Sequence, residues 1–243
     1  MDRRLKKMNR YIPNQHGAWA MLVLPFLFGL SISGGRWVHL PLFLCWLVMY
    51  LFSYPVLQWI KTGRKDSYLR PAALYGVLLV PLVAVVVAQQ PQMLMYGALL
   101  LIFFAVPAYY AKRRNERALF NDIVAIVLFS SFIYPVVYMS GTPDWIAASK
   151  LFLLSVLYFT GTALYVKTMI REKKNRRYYY ISCLYHLLLV VLAAGWNVWL
   201  CIPFAVLLIR AIWLPRQKLR TMQIGIAEIR FAVMMYVSVL WII

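Results

Sequence analysis

Nine long apolar stretches follow one another along the chain, at residues 17–33, 40–60, 71–88, 92–110, 120–139, 145–170, 178–194, 196–213 and 226–243. Short polar or charged connections separate them. A helix needs roughly 17–25 residues to cross the hydrocarbon core of a bilayer, and all nine runs are long enough. The pattern therefore predicts an all-α, polytopic integral membrane protein with nine transmembrane helices in a single domain, residues 1–243. Two boundaries are blurred: Asn14-Gln15-His16 leads into the first run, and Gly195 alone divides the seventh from the eighth. Pro25, Pro55, Pro81, Pro107, Pro135 and Pro203 fall inside runs. Membrane spans tolerate proline when neighbouring groups satisfy the freed backbone carbonyl.

Composition agrees and charge adds orientation. Of 243 residues, 63% are hydrophobic, and the mean hydropathy is +0.71, well above a soluble domain at about 45–50% apolar. Lys and Arg number 26 against seven Asp and Glu, a formal net charge of +19. All but Arg36 and Lys150 of those cations lie on or around alternate connections: before span one, between spans two and three and four and five, and around the loops between six and seven and eight and nine. Short loops rich in Lys and Arg stay cytoplasmic. The expected topology is N-terminus inside, C-terminus outside. Trp37, Trp145, Trp196, Trp199 and Trp241 lie near the opposite boundary, as an interfacial belt would. The same placement explains the basic charge without nucleic acid, and no zinc, helix-turn-helix or base-stacking motif accompanies it. Residues 1–10 resemble the basic start of a signal peptide, but no small-x-small cleavage site follows, so the first run reads as a retained helix. Cys45, Cys183 and Cys201 all sit inside apolar runs and read as small buried hydrophobes.

Two connections echo each other. Lys61-Thr62 recurs 106 residues later as Lys167-Thr168, and the same offset pairs Lys65 with Arg171, Asp66 with Glu172 and Arg70 with Arg176. It also pairs Asp122 with Glu228. The offset carries four spans, an even number, so a duplication would be parallel, with halves near 14–110 and 120–216 and a ninth helix at 226–243. Membrane proteins built from repeats place their sites where the repeats meet. The polar minority at membrane depth gathers toward the basic side: His16, Asn121, Asp122, Arg210 and Glu228, with His186 deeper in span seven. Ionisable residues in a membrane mark function by default. The plainer alternative is that they pair, Asp122 or Glu228 with a neighbouring arginine.

The expected site is a basic pocket on the cytoplasmic side. Lys61, Arg64, Lys65, Arg70, Lys167, Arg171 and Arg176 would bind an anion, Arg through its planar fork and Lys as a point charge. Asp66 and Glu172, the acids expected nearby, would each help hold a metal. Asn121, Asp122, His16 and His186 would line it more deeply. A haem bound by His16 and His186 is geometrically conceivable. No metalloprotease, nucleophile-elbow or phosphate-loop motif is present.

The opening P-N-Q-H-G-A-W-A-M-L-V-L-P, the K-T-x-x-K-D and R-P of residues 61–71, K-R-R-N-E-R-A-L-x-N-D at 112–122 and the run from K-T-M-I-R-E to Y-H at 167–186 resemble the YwiC-like family of bacterial membrane proteins. Helix number and the position of the paired connections also resemble the UbiA prenyltransferase superfamily. That resemblance implies magnesium held on an isoprenoid diphosphate by aspartate-rich motifs on the two–three and six–seven loops. Here each loop offers one acid, Asp66 or Glu172, where a bridging magnesium pair wants several carboxylate oxygens. Two functions follow from these residues. One is a divergent transferase handling an isoprenoid diphosphate or anionic lipid with Asp66 and Glu172 as catalytic acids. The other is a non-catalytic transporter or binding subunit in which those acids only offset adjacent cations.

Overall fold

The computed structural model of the chain describes Tyr11, Pro13, residues 16–217 and residues 219–242, the side chain of His16 excepted. The cations of residues 1–10, Asn14, Gln15 and Lys218, which enter the charge pattern, and the His16 imidazole lie outside the described residues. Among the described residues all regular structure is helical. The order is α1 (His16–Ser33), α2 (His39–Thr62), α3 (Lys65–Gln89), α4 (Met93–Lys112), α5 (Leu119–Ser130), α6 (Ile133–Tyr138), α7 (Trp145–Ile170), α8 (Arg176–Trp196), α9 (Cys201–Trp213) and α10 (Thr221–Ile242). Single 3-10 turns flank α9. Among the described residues eight spans, with α5 and α6 forming one and α9 and its turns another, are long and apolar enough to cross a membrane, and Gly17–Ser33 is a shorter apolar helix. The chain is a polytopic membrane protein.

Three local differences from the sequence pattern matter for the site. The connection between α2 and α3 is only Gly63 and Arg64. Gly63 caps α2 at φ +68, its N–H donating to the Trp59 carbonyl at 2.8 Å, a left-handed conformation that glycine adopts without strain. The chain turns there at once, so Lys65, Asp66 and Arg70 open α3 instead of lying in a loop. Asp66 in that first turn complements the positive end of the helix dipole. The span at 120–139 breaks at Ser131 because Pro135 has no N–H to give the Ser131 carbonyl. There the Ser131 hydroxyl donates to the Leu128 carbonyl at 2.7 Å and lies 3.0 Å from the Tyr96 hydroxyl. Finally, α10 begins at Thr221, which puts Glu228 two turns inside a helix rather than at its start.

The chain forms two compact units, one containing Pro25–Phe152 and the other His16–Leu24 with Leu153–Ile243. Both members of each echoed residue pair therefore fall in different units. In the first unit α2 packs along α3 and against α4. Its core stacks Trp46 on Phe132 (centroids 4.3 Å) and meets Phe129 edge-on at 5.4 Å. Near the other end of α2, His39 Nδ1 accepts from the Arg36 N–H at 3.0 Å while Nε2 donates to the Val136 carbonyl at 2.9 Å. The Arg36 guanidinium donates to the Ser140 carbonyl. These bonds answer why Arg36 and His39 are tolerated at that boundary: they close helix ends. In the second unit Tyr165, Met169, Ala211 and Ile224 form one buried cluster, with Val166, Leu214 and Leu219 packed on it. Outward faces are strongly apolar, Val77 and Leu101 each being 72% exposed, as lipid-facing surfaces are.

Candidate functional site

In the first unit the last turn of α2 presents Lys61. Its Nζ lies 2.9 Å from Glu116 Oε2 on the α4–α5 connection, both side chains about one-third exposed (33% and 32%). Asn121 donates from Nδ2 to the Glu116 carbonyl at 2.9 Å, fixing the loop that offers the carboxylate. So Lys61 and Asn121, two expected ligand-binding residues, meet at an acid outside the expected set. Glu116 is the partner that the sequence reasoning missed, although it stands in the quoted K-R-R-N-E-R motif. Arg64, Lys65, Asp66 and Arg70 are exposed around the α2–α3 corner, and Asp122 is half-buried in the first turn of α5. Replacing Glu116 by Gln should shift stability by no more than about 1 kcal/mol, the usual worth of an exposed pair in water. A loss of several kcal/mol in detergent unfolding would mean that this corner is dry.

In the second unit the α7–α8 connection carries the echo. Lys167 is buried on the last turn of α7, and the Thr168 hydroxyl donates to the Tyr165 carbonyl at 2.6 Å. The Lys167 carbonyl receives the N–H groups of Arg171 (3.0 Å) and Glu172 (2.7 Å), which folds the chain into a tight turn. Glu172 Oε2 accepts from Asn175 Nδ2 at 3.0 Å. Asn175 also caps α8, its Oδ1 accepting the Arg177 N–H at 3.1 Å. Arg171, Glu172, Lys174, Asn175, Arg176 and Arg177 line one open concavity of about 520 Å³. Of the expected residues, this surface brings together Arg171, Glu172 and Arg176.

His186 is elsewhere, in the buried heart of the second unit. Its Nδ1 donates to the Ser182 carbonyl at 2.7 Å, which leaves Nε2 as the acceptor facing Arg210 Nη2 at 3.3 Å. Arg210 Nη1 donates to Glu228 Oε2 at 2.7 Å, with both side chains almost wholly buried. The guanidinium lies over the Tyr165 ring (4.3 Å to the centroid) and the Phe231 ring (5.0 Å). Gly161 lets this happen: a Cβ there would sit 3.2 Å from His186 Nε2. At 1.5 Å per residue, Glu228 is ~10 Å from the start of α10, so the ion pair lies at membrane depth. Among the described residues, no three His, Cys, Asp or Glu side chains gather as a metal ion would require.

A family model, YwiC-like protein, matches residues 12–138. The protein YwiC of Bacillus subtilis (strain 168), itself uncharacterised, is 40% identical over 228 residues, covering 91% of this chain and 93% of its own. An uncharacterised protein of Haemophilus influenzae is 33% identical over 239 residues, covering 96% and 98%. The chain belongs to the YwiC-like family. No solved structure matches it.

The match to the YwiC-like model ends at residue 138, before the α7–α8 concavity and the Arg210 cluster. Arg210 and Glu228 are the residues of this YwiC-like protein whose role the sequence reading undervalued. The signal was present: one cation and one acid of opposite sign at membrane depth, on consecutive spans, in a chain with only seven acids. What stood in the way was the assumed start of span nine, which put Glu228 at the water boundary.

Proposed function

We propose that the protein binds a phosphate-bearing amphiphile, an isoprenoid diphosphate or an anionic phospholipid, at the cytoplasmic side of the inner membrane. The observation that carries this reading is the basic concavity of the α7–α8 connection. Arg171, Lys174, Arg176 and Arg177 outnumber the single acid Glu172 on one surface. Clustered cations repel unless an anion offsets them. Phosphate oxygens match the arginine fork, and the N-terminus of α8 adds its dipole and free N–H groups. A volume of about 520 Å³ suits a head group. Beside it, α8 exposes Ile181, Leu184 and Leu188, an apolar track for the attached chain.

The surroundings of Glu172 suit an anion better than magnesium. One carboxylate among four cations offers a divalent ion too few oxygens and too much repulsion. Asp66, the other acid of the expected metal pair, belongs to the other unit. Direct contact with phosphate needs neither. The paired motifs also support a parallel internal repeat. Lys61-Thr62 and Lys167-Thr168 each close a helix, and each threonine hydroxyl donates back to a carbonyl of its own last turn (2.7 Å to Gln58, 2.6 Å to Tyr165).

Geranylgeranyl diphosphate and phosphatidylglycerol should both raise the melting temperature of the detergent-solubilised protein, and phosphatidylcholine should not. Charged hydrogen bonds contribute about 1.5–3 kcal/mol each. Changing Arg171, Arg176 and Arg177 together to Gln should therefore weaken binding by tenfold or more. Equal shifts with phosphatidylcholine, or an unchanged response in the triple variant, would remove this reading. Orientation has its own test. A reporter fused after Ile243 that fluoresces only in the cytoplasm should stay dark, and a bright fusion would put the basic connections on the outer face.

A further inference from the structure

The ion pair inside the second unit has a half-filled hydrogen-bonding shell. Arg210 and Glu228 meet through one oxygen only, Oε2, at 2.7 Å. Both are nearly inaccessible, yet Arg210 Nε and Glu228 Oε1 make no hydrogen bond, nor does the hydroxyl of Tyr165, whose ring the guanidinium covers. A pair serving only to join helices would favour the two-pronged arrangement, which satisfies Nε and both oxygens at once. Leaving buried groups unmatched is costly. The guanidinium thus keeps a spare N–H, with the Tyr165 hydroxyl able to donate beside it. A guanidinium with an unused donor is complementary to an oxyanion.

We propose that Arg210 is the anchor of an internal site for a singly charged phosphate or carboxylate group, and that Glu228 occupies the anchor until that group arrives. Charge balance sets the mechanism. In the structure Arg210 and Glu228 sum to zero, and the His186 Nε2 lone pair faces the guanidinium, so the imidazole adds no charge. An incoming oxyanion would leave one excess negative charge in the membrane interior. Glu228, released from Arg210, takes one proton from water, and the site is neutral again. Anion and proton therefore bind together, one for one. The remaining titratable groups that face the pair among the described residues are Tyr158 and Tyr165 on α7 and His186 on α8. This site is independent of the α7–α8 concavity and can exist whether or not that surface binds lipid.

The test uses the full-length protein and phosphodiesters, whose single charge is fixed near neutral pH. Diethyl phosphate serves as a free anion and phosphatidylglycerol in phosphatidylcholine nanodiscs as a lipid head group, and the one that binds identifies the source. Affinity in the wild type should rise by up to about tenfold per pH unit between about pH 8 and pH 6. Glu228→Gln should bind more tightly than wild type at the higher pH and lose the pH dependence. Arg210→Gln with Glu228→Gln, which is neutral and keeps the shape, should keep only the pH-independent binding of the surface site. Wild-type binding without pH dependence, no binding of either phosphodiester, or a wild-type pH dependence in the double variant would overturn the proposal. The wild-type measurement stands even if Glu228→Gln does not fold. Because residues 171–177 are unchanged throughout, a negative result here is distinct from failure of the surface site.

Discussion

Replacing Arg210 by Met should destabilise the protein by about 3–5 kcal/mol, and replacing Arg210 and Glu228 together by Met should restore most of that loss. Arg210 is 2% and Glu228 3% exposed. Removing the cation forces Glu228 either to stay charged without a partner or to take up a proton, and with the space left over Tyr165 that costs more than the lost contact itself. Removing both leaves two apolar side chains of similar length, which an interior tolerates. The guanidinium also covers the rings of Tyr165 and Phe231, and methionine would fill part of that space. Reversible unfolding of the detergent-solubilised variants by urea or heat measures both effects. A single variant as stable as wild type would mean that water reaches Glu228. A double variant as poor as the single would mean that packing over Tyr165, not charge, holds α9 and α10 in place.

The spans were legible because lipid permits so few solutions. A run of apolar residues too long for a strand must satisfy its own backbone, so residues 145–170 predicted α7 to the residue. Charge placement was legible for the same reason, since lysine and arginine gather at helix ends such as Lys61, Lys112 and Lys167. Ends defined by polar helix formers were not. Lys65, Asp66 and Arg70 look like loop residues by polarity, yet Gly63 completes the turn alone and the helix starts beneath them. In α10 the polar sequence Thr221-Met222-Gln223 hides the start in the same way. Pairings were least legible. Lys61 finds Glu116 across 55 residues, and Arg210 finds both His186 and Glu228. Nothing local marks such partners. They follow from which helix faces the fold brings together, which composition does not encode. Within the expected site, the 171–176 group was legible as a unit because its members share one short turn.

Gly29→Ala should cost the first unit about 1–3 kcal/mol, a large effect for one methyl group. Gly29 lies inside α1, where backbone freedom is not its use. Its value is closeness: an added Cβ would lie 2.7 Å from both Cβ and Cγ1 of Val136 and 3.4 Å from the Ile133 carbonyl oxygen. Val136 is wholly buried, and a β-branched side chain on a short helix has no free rotamer into which it can withdraw. The helices must separate instead. Separation would also strain the bond from His39 Nε2 to the Val136 carbonyl, so the damage should spread to the Arg36 end of α2. Small residues at such crossings are how membrane helices approach closely when no hydrophobic drive joins them. Val136→Gly, which removes both clashing carbons, should bring back part of the stability in the double variant compared with the sum of the single changes. Strict additivity of the two would show that α1 and α6 do not meet at this point.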